Sequence, residues 1–130
     1  MSITLGPRSI ARLQDVHPDL VRVVRRAAAM SSLDFTVLEG LRTLPRQKQL
    51  MAQGATRTLN SRHLTGHAVD LAPMIGGTVS WDWPLYDRLA KVVKAAADHE
   101  NIPITWGGDW ENFKDGPHWE LPWKQYPKGE

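Results

Sequence analysis

Ser61-Arg62-His63-Leu64-Thr65-Gly66-His67-Ala68-Val69-Asp70-Leu71-Ala72 is the stretch on which the reading of this chain turns. Its second half, residues 66–72, alternates, with Val69 and Leu71 on one side and Ala68, Asp70 and Ala72 on the other, the period-two pattern of a β-strand. Asp70 is thereby set opposite the obvious core residues. The first half shows no such period, and Gly66 is a poor helix residue, so His63 and His67 sit on a loop that feeds the strand.

Working outward, a short helix opened by Pro7 or Ser9 runs to Leu13, and a second spans residues 18–30. In the second, Leu20, Val23, Val24 and Ala27 form the apolar stripe, and Arg22, Arg25 and Arg26 a solvated face. Residues 35–39 read as a short strand, followed by Gly40 and a helix entered at Pro45 that reaches about Ala52; Arg42 lies on the connection. A polar loop rich in Thr, Asn and Ser then leads to His63. The longest helix begins near Asp82 or Pro84 and reaches Asp98, with Leu85, Leu89, Val92, Val93 and Ala96 at helical spacing. Residues 102–106 and 117–121 are strand-like and flank a Gly107-Gly108 turn; in the latter, His118 and Glu120 share a face. No repeat, heptad array or low-complexity tract intervenes. The expectation is a small single α+β domain, an antiparallel sheet with helices packed on it.

Composition narrows the chemistry. The chain has 130 residues, 42% of them apolar and 23% charged, the balance of a globular domain with a single core. It contains no cysteine, so neither disulfides nor thiolate metal ligands are available, and a transition metal must be held by His and carboxylate. The formal charge of +2 is a weak excess of base that fits solubility. No apolar run is long enough to span a bilayer, and residues 1–13 lack the basic flank, apolar stretch and cleavage signal of a secretory leader. Cytosolic synthesis without membrane insertion is therefore expected. The basic residues are not organised around an aromatic or helical reading element, which argues against nucleic acid as a partner.

Two segments are dense in ligand-type side chains that packing does not require: the stretch from Ser61 to Asp70, and Asp115-Gly116-Pro117-His118. A catalytic zinc takes three protein ligands from His, Asp and Glu and keeps a fourth position open. His63, Asp70 and His118 meet that inventory. The competing pair, His63 and His67 at i and i+4, would need a helix, but Gly66 and the strand beyond it oppose one, and the Glu that follows the first His in the His-Glu-x-x-His peptidases is absent. His67 is expected to be a partly exposed loop residue or to support a ligand from behind.

Taken together, Ser61-x-His63-x-x-Gly66-x-Ala68-x-Asp70 with Asp115-x-x-His118 resembles the zinc metallopeptidases that include D-alanyl-D-alanine carboxypeptidases and phage endolysins of the L-alanyl-D-glutamate peptidase type. Gly40-Leu41-Arg42-Thr43 fits the same pattern, and the likeness runs from about Glu39 to Leu121. The resemblance implies one zinc per chain on His63, Asp70 and His118, a catalytic carboxylate at Asp115 and a substrate-facing arginine at Arg42. Asp115 lies close enough to a ligand to take a proton from the attacking water and return it to the departing amine. Arg42 can stabilise a developing oxyanion or hold a substrate carboxylate, and Ser61 is a candidate for hydrogen bonding to substrate. Glu120, the rival base, is better placed as an acceptor that orients a ligand His.

The implied function is an endolysin: a monomeric peptidase cutting the stem peptide of peptidoglycan between L-alanine and D-glutamate, made in the host cytoplasm and let out to the wall by a holin. A single peptidase domain over residues 1–130, with no separate wall-binding domain, is expected. A D-alanyl-D-alanine carboxypeptidase or dipeptidase, and a zinc-stabilised binding module without turnover, are the alternatives. Of the six tryptophans, most are expected in the core, with Trp106 and Trp110 lining the groove beside Asp115. Gly107, Gly108 and Gly116 are expected to leave room for an extended peptide across the metal.

Overall fold

The computed structural model describes residues 2–54 and 61–127. The expected polar loop before His63 falls largely on residues 55–60, outside the described residues. Four helices, α1 (Pro7–Arg12), α2 (Pro18–Met30), α3 (Leu44–Ala52) and α4 (Trp83–Glu100), are joined to five strands, β1 (Phe35–Glu39), β2 (Ala68–Ile75), β3 (Thr78–Val79), β4 (Thr105–Trp106) and β5 (His118–Glu120). The sheet is antiparallel in the order β1-β2-β5-β4, with β3 folded back on the far end of β2. The expected α+β class holds.

Helix α2 starts where Pro18 presets the backbone and the His17 ring nitrogen accepts from the Asp19 amide at 3.1 Å. It packs on α4, and the two bury Leu20, Val23, Val24 and Ala27 with Leu89, Val93, Ala96 and Ala97 in one core that includes Val37, Val69, Leu71 and Trp119 of the sheet. Arg22 is exposed and Arg26 half-buried on the polar face of α2, and both reach Glu100 at the end of α4, at 3.0 and 2.8 Å. Exposed pairs of this kind contribute little each, ~0–1 kcal/mol, but they fix which turns of the two helices meet.

The edge of the sheet is closed by α1. The Val37 amide donates to Ser9 Oγ at 3.0 Å and the Val37 carbonyl accepts from Arg12 at 2.9 Å, so the free side of β1 offers no open ladder at this residue. Along its other side β1 is irregular: Val37 pairs with Leu71, but Glu39, not Leu38, stands opposite Asp70. This bulge moves Glu39 onto the face that carries Asp70. Because His118 is the partner of Asp70 on β5, the side chains of Glu39, Asp70 and His118 form a row across three strands.

Several boundaries differ from expectation for local reasons. Strand β2 begins at Ala68 because Gly66 takes a left-handed φ of 76° to end a 3-10 turn over Arg62–Thr65, and it runs on to Ile75 because Met74 and Ile75 pair with β3. A Cβ on Gly66 would also run into the Asp15 carbonyl oxygen, so both backbone and space demand glycine. Helix α4 extends to Glu100 and stops at Asn101, whose φ of 57° forms the left-handed cap. Only Thr105 and Trp106 of the 102–106 segment pair with β5. No helix among the described residues is long and apolar enough to cross a membrane.

Candidate metal centre

The cross-strand row places Asp70 beside His118, and the 3-10 turn delivers His63 to the same point. One ligand atom from each of His63, Asp70 and His118 lies within 4.8 Å of the other two, a group that can hold a metal ion. His63 is 1% exposed and Asp70 19%, so the group is sunk into the sheet with Asp70 nearest the solvent.

Which nitrogens face inward follows from what binds the others. His63 Nδ1 lies 2.9 Å from the Gly40 carbonyl, which can only accept, so Nδ1 carries the proton. Nε2, 3.1 Å from Asp70 Oδ1, is then a bare lone pair in the neutral ring. His118 is arranged the other way round: Nε2 donates to Glu120 Oε1 at 2.7 Å, and Nδ1 stands 3.6 Å from the same Asp70 oxygen. Two imidazole lone pairs and a carboxylate oxygen therefore converge, an arrangement that needs a cation or added protons between its members. In the metal-free protein protons fill that role. Burial opposes a charge on His118, but Asp70 and Glu120 outweigh it and raise its pKa to about 9. Burial likewise opposes the charged form of Asp70, and the His63 and His118 rings more than compensate, holding its carboxyl far below the usual range.

Asp115 approaches from the loop before β5. Its amide donates to the Gly107 carbonyl at 3.0 Å and its own carbonyl accepts from the His118 amide at 3.2 Å, so the Asp115–His118 turn is pinned at both ends. Burial, then the Asp70 charge, raise its carboxyl pKa against the pull of His118, His63 and Arg42. Arg42 also borders the site. Its side chain is 8% exposed, donates to Gln47 at 2.7 Å, pairs with Glu39 and lies 3.5 Å from Asp70 Oδ2. Its amide donates to the His63 carbonyl, which locks this connection to the 3-10 turn that carries His63. Ser61 caps that turn, its Oγ accepting from the His63 amide at 3.2 Å.

A family model described as phage L-alanyl-D-glutamate peptidase matches residues 1–121. The chain belongs to this family. Over 119 residues it is 34% identical to the L-alanyl-D-glutamate peptidase of Escherichia phage T5, covering 88% of this chain and 87% of that one. It is 36% identical over 122 residues to the namesake of Listeria phage A118, covering 92% of this chain but only 42% of that longer protein. The crystal structure of the Serratia marcescens L-Ala D-Glu endopeptidase ChiX superposes with a TM-score of 0.90 at 48% identity, over 97% of this chain and 95% of that one. Among the readings left open by the sequence, the family selects the peptidoglycan endopeptidase.

Other expectations need correction. His67 is 1% exposed, its Nδ1 lies 2.7 Å from Thr65 Oγ1, and its ring stands 5.4 Å from that of His17, so it belongs to the interior and not to an exposed loop. Trp106 and Trp119 are buried and stacked at 5.6 Å, whereas Trp81, Trp83 and Trp123 are exposed, Trp81 to 67%. Trp110, with its ring 5.2 Å from that of His118, is the tryptophan that borders the His63–Asp70–His118 group; Trp106 is core. Gly107, Gly108 and Gly116 make room for the protein's own atoms: a Cβ on them would meet Asp115 and His118, the Trp106 ring, and Trp83 with Tyr86. Residues that sequence reasoning passed over are Glu39 and Gln47, which hold the Arg42 guanidinium. A Gln on an otherwise exposed helical turn, fully buried at position 47, gave no signal in residue type alone.

Proposed function

We propose that the chain cleaves the L-alanyl-D-glutamate bond of the peptidoglycan stem peptide as a monomer, with one zinc ion held by His63 Nε2, Asp70 and His118 Nδ1. The supporting observation is the convergence of two imidazole lone pairs with one carboxylate oxygen, a donor set that suits zinc. When bound, zinc supplies Lewis acidity that polarises the scissile carbonyl and lowers the pKa of water toward ~7.

The remaining work falls to side chains. Asp115, with its carboxyl pKa raised, takes the proton of the attacking water and returns it to the amine that leaves on D-glutamate. Arg42, in contact with Asp70, steadies that ligand and presents fixed positive charge to the oxyanion or to a substrate carboxylate. Ser61 accepts from the His63 amide and keeps its own O–H to donate to substrate. The action is at the wall of a phage host, reached after holin-type release from the cytoplasm.

Asp115→Asn tests the assignment, since it keeps the shape and removes the proton acceptor. Turnover on purified peptidoglycan should drop ~10²- to 10⁴-fold with zinc content unchanged. Near-normal activity in Asp115→Asn together with a dead Glu120→Gln would move the base to the other carboxylate.

A further inference from the structure

Two exposed indoles stand at the entrance to α4. Trp81 is 67% exposed and Trp83 41%, and Asp82 between them is exposed as well, its carboxylate making no capping bond to the helix it precedes. Both rings are backed by other aromatic residues. Trp81 stacks on buried Tyr86 with centroids 6.5 Å apart and 24° between the planes. Trp83 stands 6.2 Å from the same Tyr86 ring and stacks at 6.1 Å on Trp106, which stacks in turn at 5.6 Å on Trp119. The exposed pair is thus the outer end of a run of five rings that starts beside His118 on β5. It also adjoins the Asp115 turn: a Cβ on Gly116 would stand 3.1 Å from Trp83 Cζ3, so this indole lies against the residue that follows Asp115.

Large aromatic faces kept at the surface on a rigid support mark a binding surface, and rings already held in place lose little freedom when they bind. The substrate of this family supplies the partner. In peptidoglycan the L-alanine of the stem peptide is joined through a lactyl ether to an N-acetylated amino sugar. A pyranose therefore lies one residue from the L-alanyl-D-glutamate bond, on its acyl side. The C–H face of a pyranose is flat and apolar and stacks on indole, whereas its hydroxyl and acetamido N–H groups need acceptors. Asp82 offers a carboxylate between the two indoles, and a carboxylate only accepts. The same negative charge, with no base among residues 81–83, opposes docking on an anionic lipid surface.

We propose that Trp81, Asp82 and Trp83 form a subsite for the glycan strand of peptidoglycan, with an N-acetylated amino sugar stacked on Trp81. This rests on the L-alanyl-D-glutamate reading of the bond cleaved. The subsite anchors the acyl side of the substrate, so the enzyme distinguishes a stem peptide still attached to its sugar from one that has been released.

Trp81→Ala tests the subsite on two substrates, a disaccharide-peptide cut from peptidoglycan by a muramidase and the same stem peptide carrying only the lactyl group. On the disaccharide-peptide, KM should rise about 3- to 10-fold, the scale of one aromatic stacking contact, with kcat within about twofold of wild type. The loss should be confined to the substrate that bears the sugar, and Trp81→Phe, which keeps a stacking face, should recover most of it. Glycan strands stripped of peptide should inhibit the wild-type enzyme by competition and inhibit Trp81→Ala more weakly. Zinc content and melting temperature should stay at wild-type levels, since the substitution removes an exposed side chain. The inference is overturned if KM on the disaccharide-peptide does not change, or if it rises equally on both substrates. It is overturned as well if Trp81→Ala separates a wild-type dimer, which would give this face to a second copy of the chain, or if the variant instead loses binding to vesicles of anionic phospholipid. Free D-alanine as the main product of the wild-type enzyme would remove the bond assignment itself, and the subsite with it.

Discussion

Glu120 holds His118 through Nε2 at 2.7 Å, two residues along the same strand, and by doing so turns Nδ1 toward Asp70. Under the proposed zinc site, the nitrogen that His118 offers is thus chosen by a carboxylate outside the donor set. Glu120→Ala should leave the ring free to rotate and lower zinc affinity ~10- to 100-fold, the usual weight of such a supporting partner. Competition with a chelator of known affinity measures it. An unchanged affinity would mean that strand geometry alone orients the ring.

His63→Ala and His118→Ala should each abolish stoichiometric zinc, because the other described residues supply no third ligand at this point. Elemental analysis of the purified variants is the direct check, and full zinc in His118→Ala would break the assignment. Since His63, Asp70 and His118 come from a 3-10 turn and two strands, chelation of the wild-type protein should also lower its melting temperature.

Under the proposed zinc site, protons and metal compete for His118. Its pKa in the folded, metal-free protein is about 9, above the ordinary 6.5. A raised folded pKa stabilises the fold fully below the unfolded value, and this contribution fades as pH rises through the folded value. The metal-free protein should therefore lose stability between about pH 6.5 and 9. Zinc affinity should rise across the same window, with a proton released from His118 on binding at pH 7. Calorimetric titration in buffers of different ionisation enthalpy counts that proton; no buffer dependence would contradict it.

The convergence of His63, Asp70 and His118 into a group that can hold a metal ion was legible in the sequence because a His, an Asp and another His on a strand-feeding loop and two strands leave few other uses for such side chains. Helices α2 and α4 were legible from their apolar period. Less accessible was anything decided by contacts between distant segments. The bulge that sets Glu39 opposite Asp70 cannot be seen in Phe-Thr-Val-Leu-Glu, whose alternation alone would put Leu38 there. His67 is buried because His17 stands against it and Leu121 donates its amide to the His67 carbonyl, partners 50 or more residues away in sequence. The glycines near Asp115 were read as open space, although such residues serve equally to admit a neighbouring backbone.

Gly107 is where that last distinction can be tested. A Cβ on it would run into the Asp115 carbonyl oxygen and stand 3.0 Å from both Asp115 Cβ and His118 Cβ. The Gly107 carbonyl also anchors the Asp115 amide, so the residue cannot retreat without moving the turn that carries Asp115 and His118. Gly107→Ala should thus destabilise the protein by about 1–3 kcal/mol, the cost of overpacking a close contact, and reduce both turnover and zinc affinity. Gly6→Ala, where a Cβ meets nothing within 4 Å, is the matched control and should leave both unchanged. If Gly107→Ala folds as stably as wild type and loses only the ability to bind a long stem peptide, the glycine serves the groove, and the packing account of this turn is wrong.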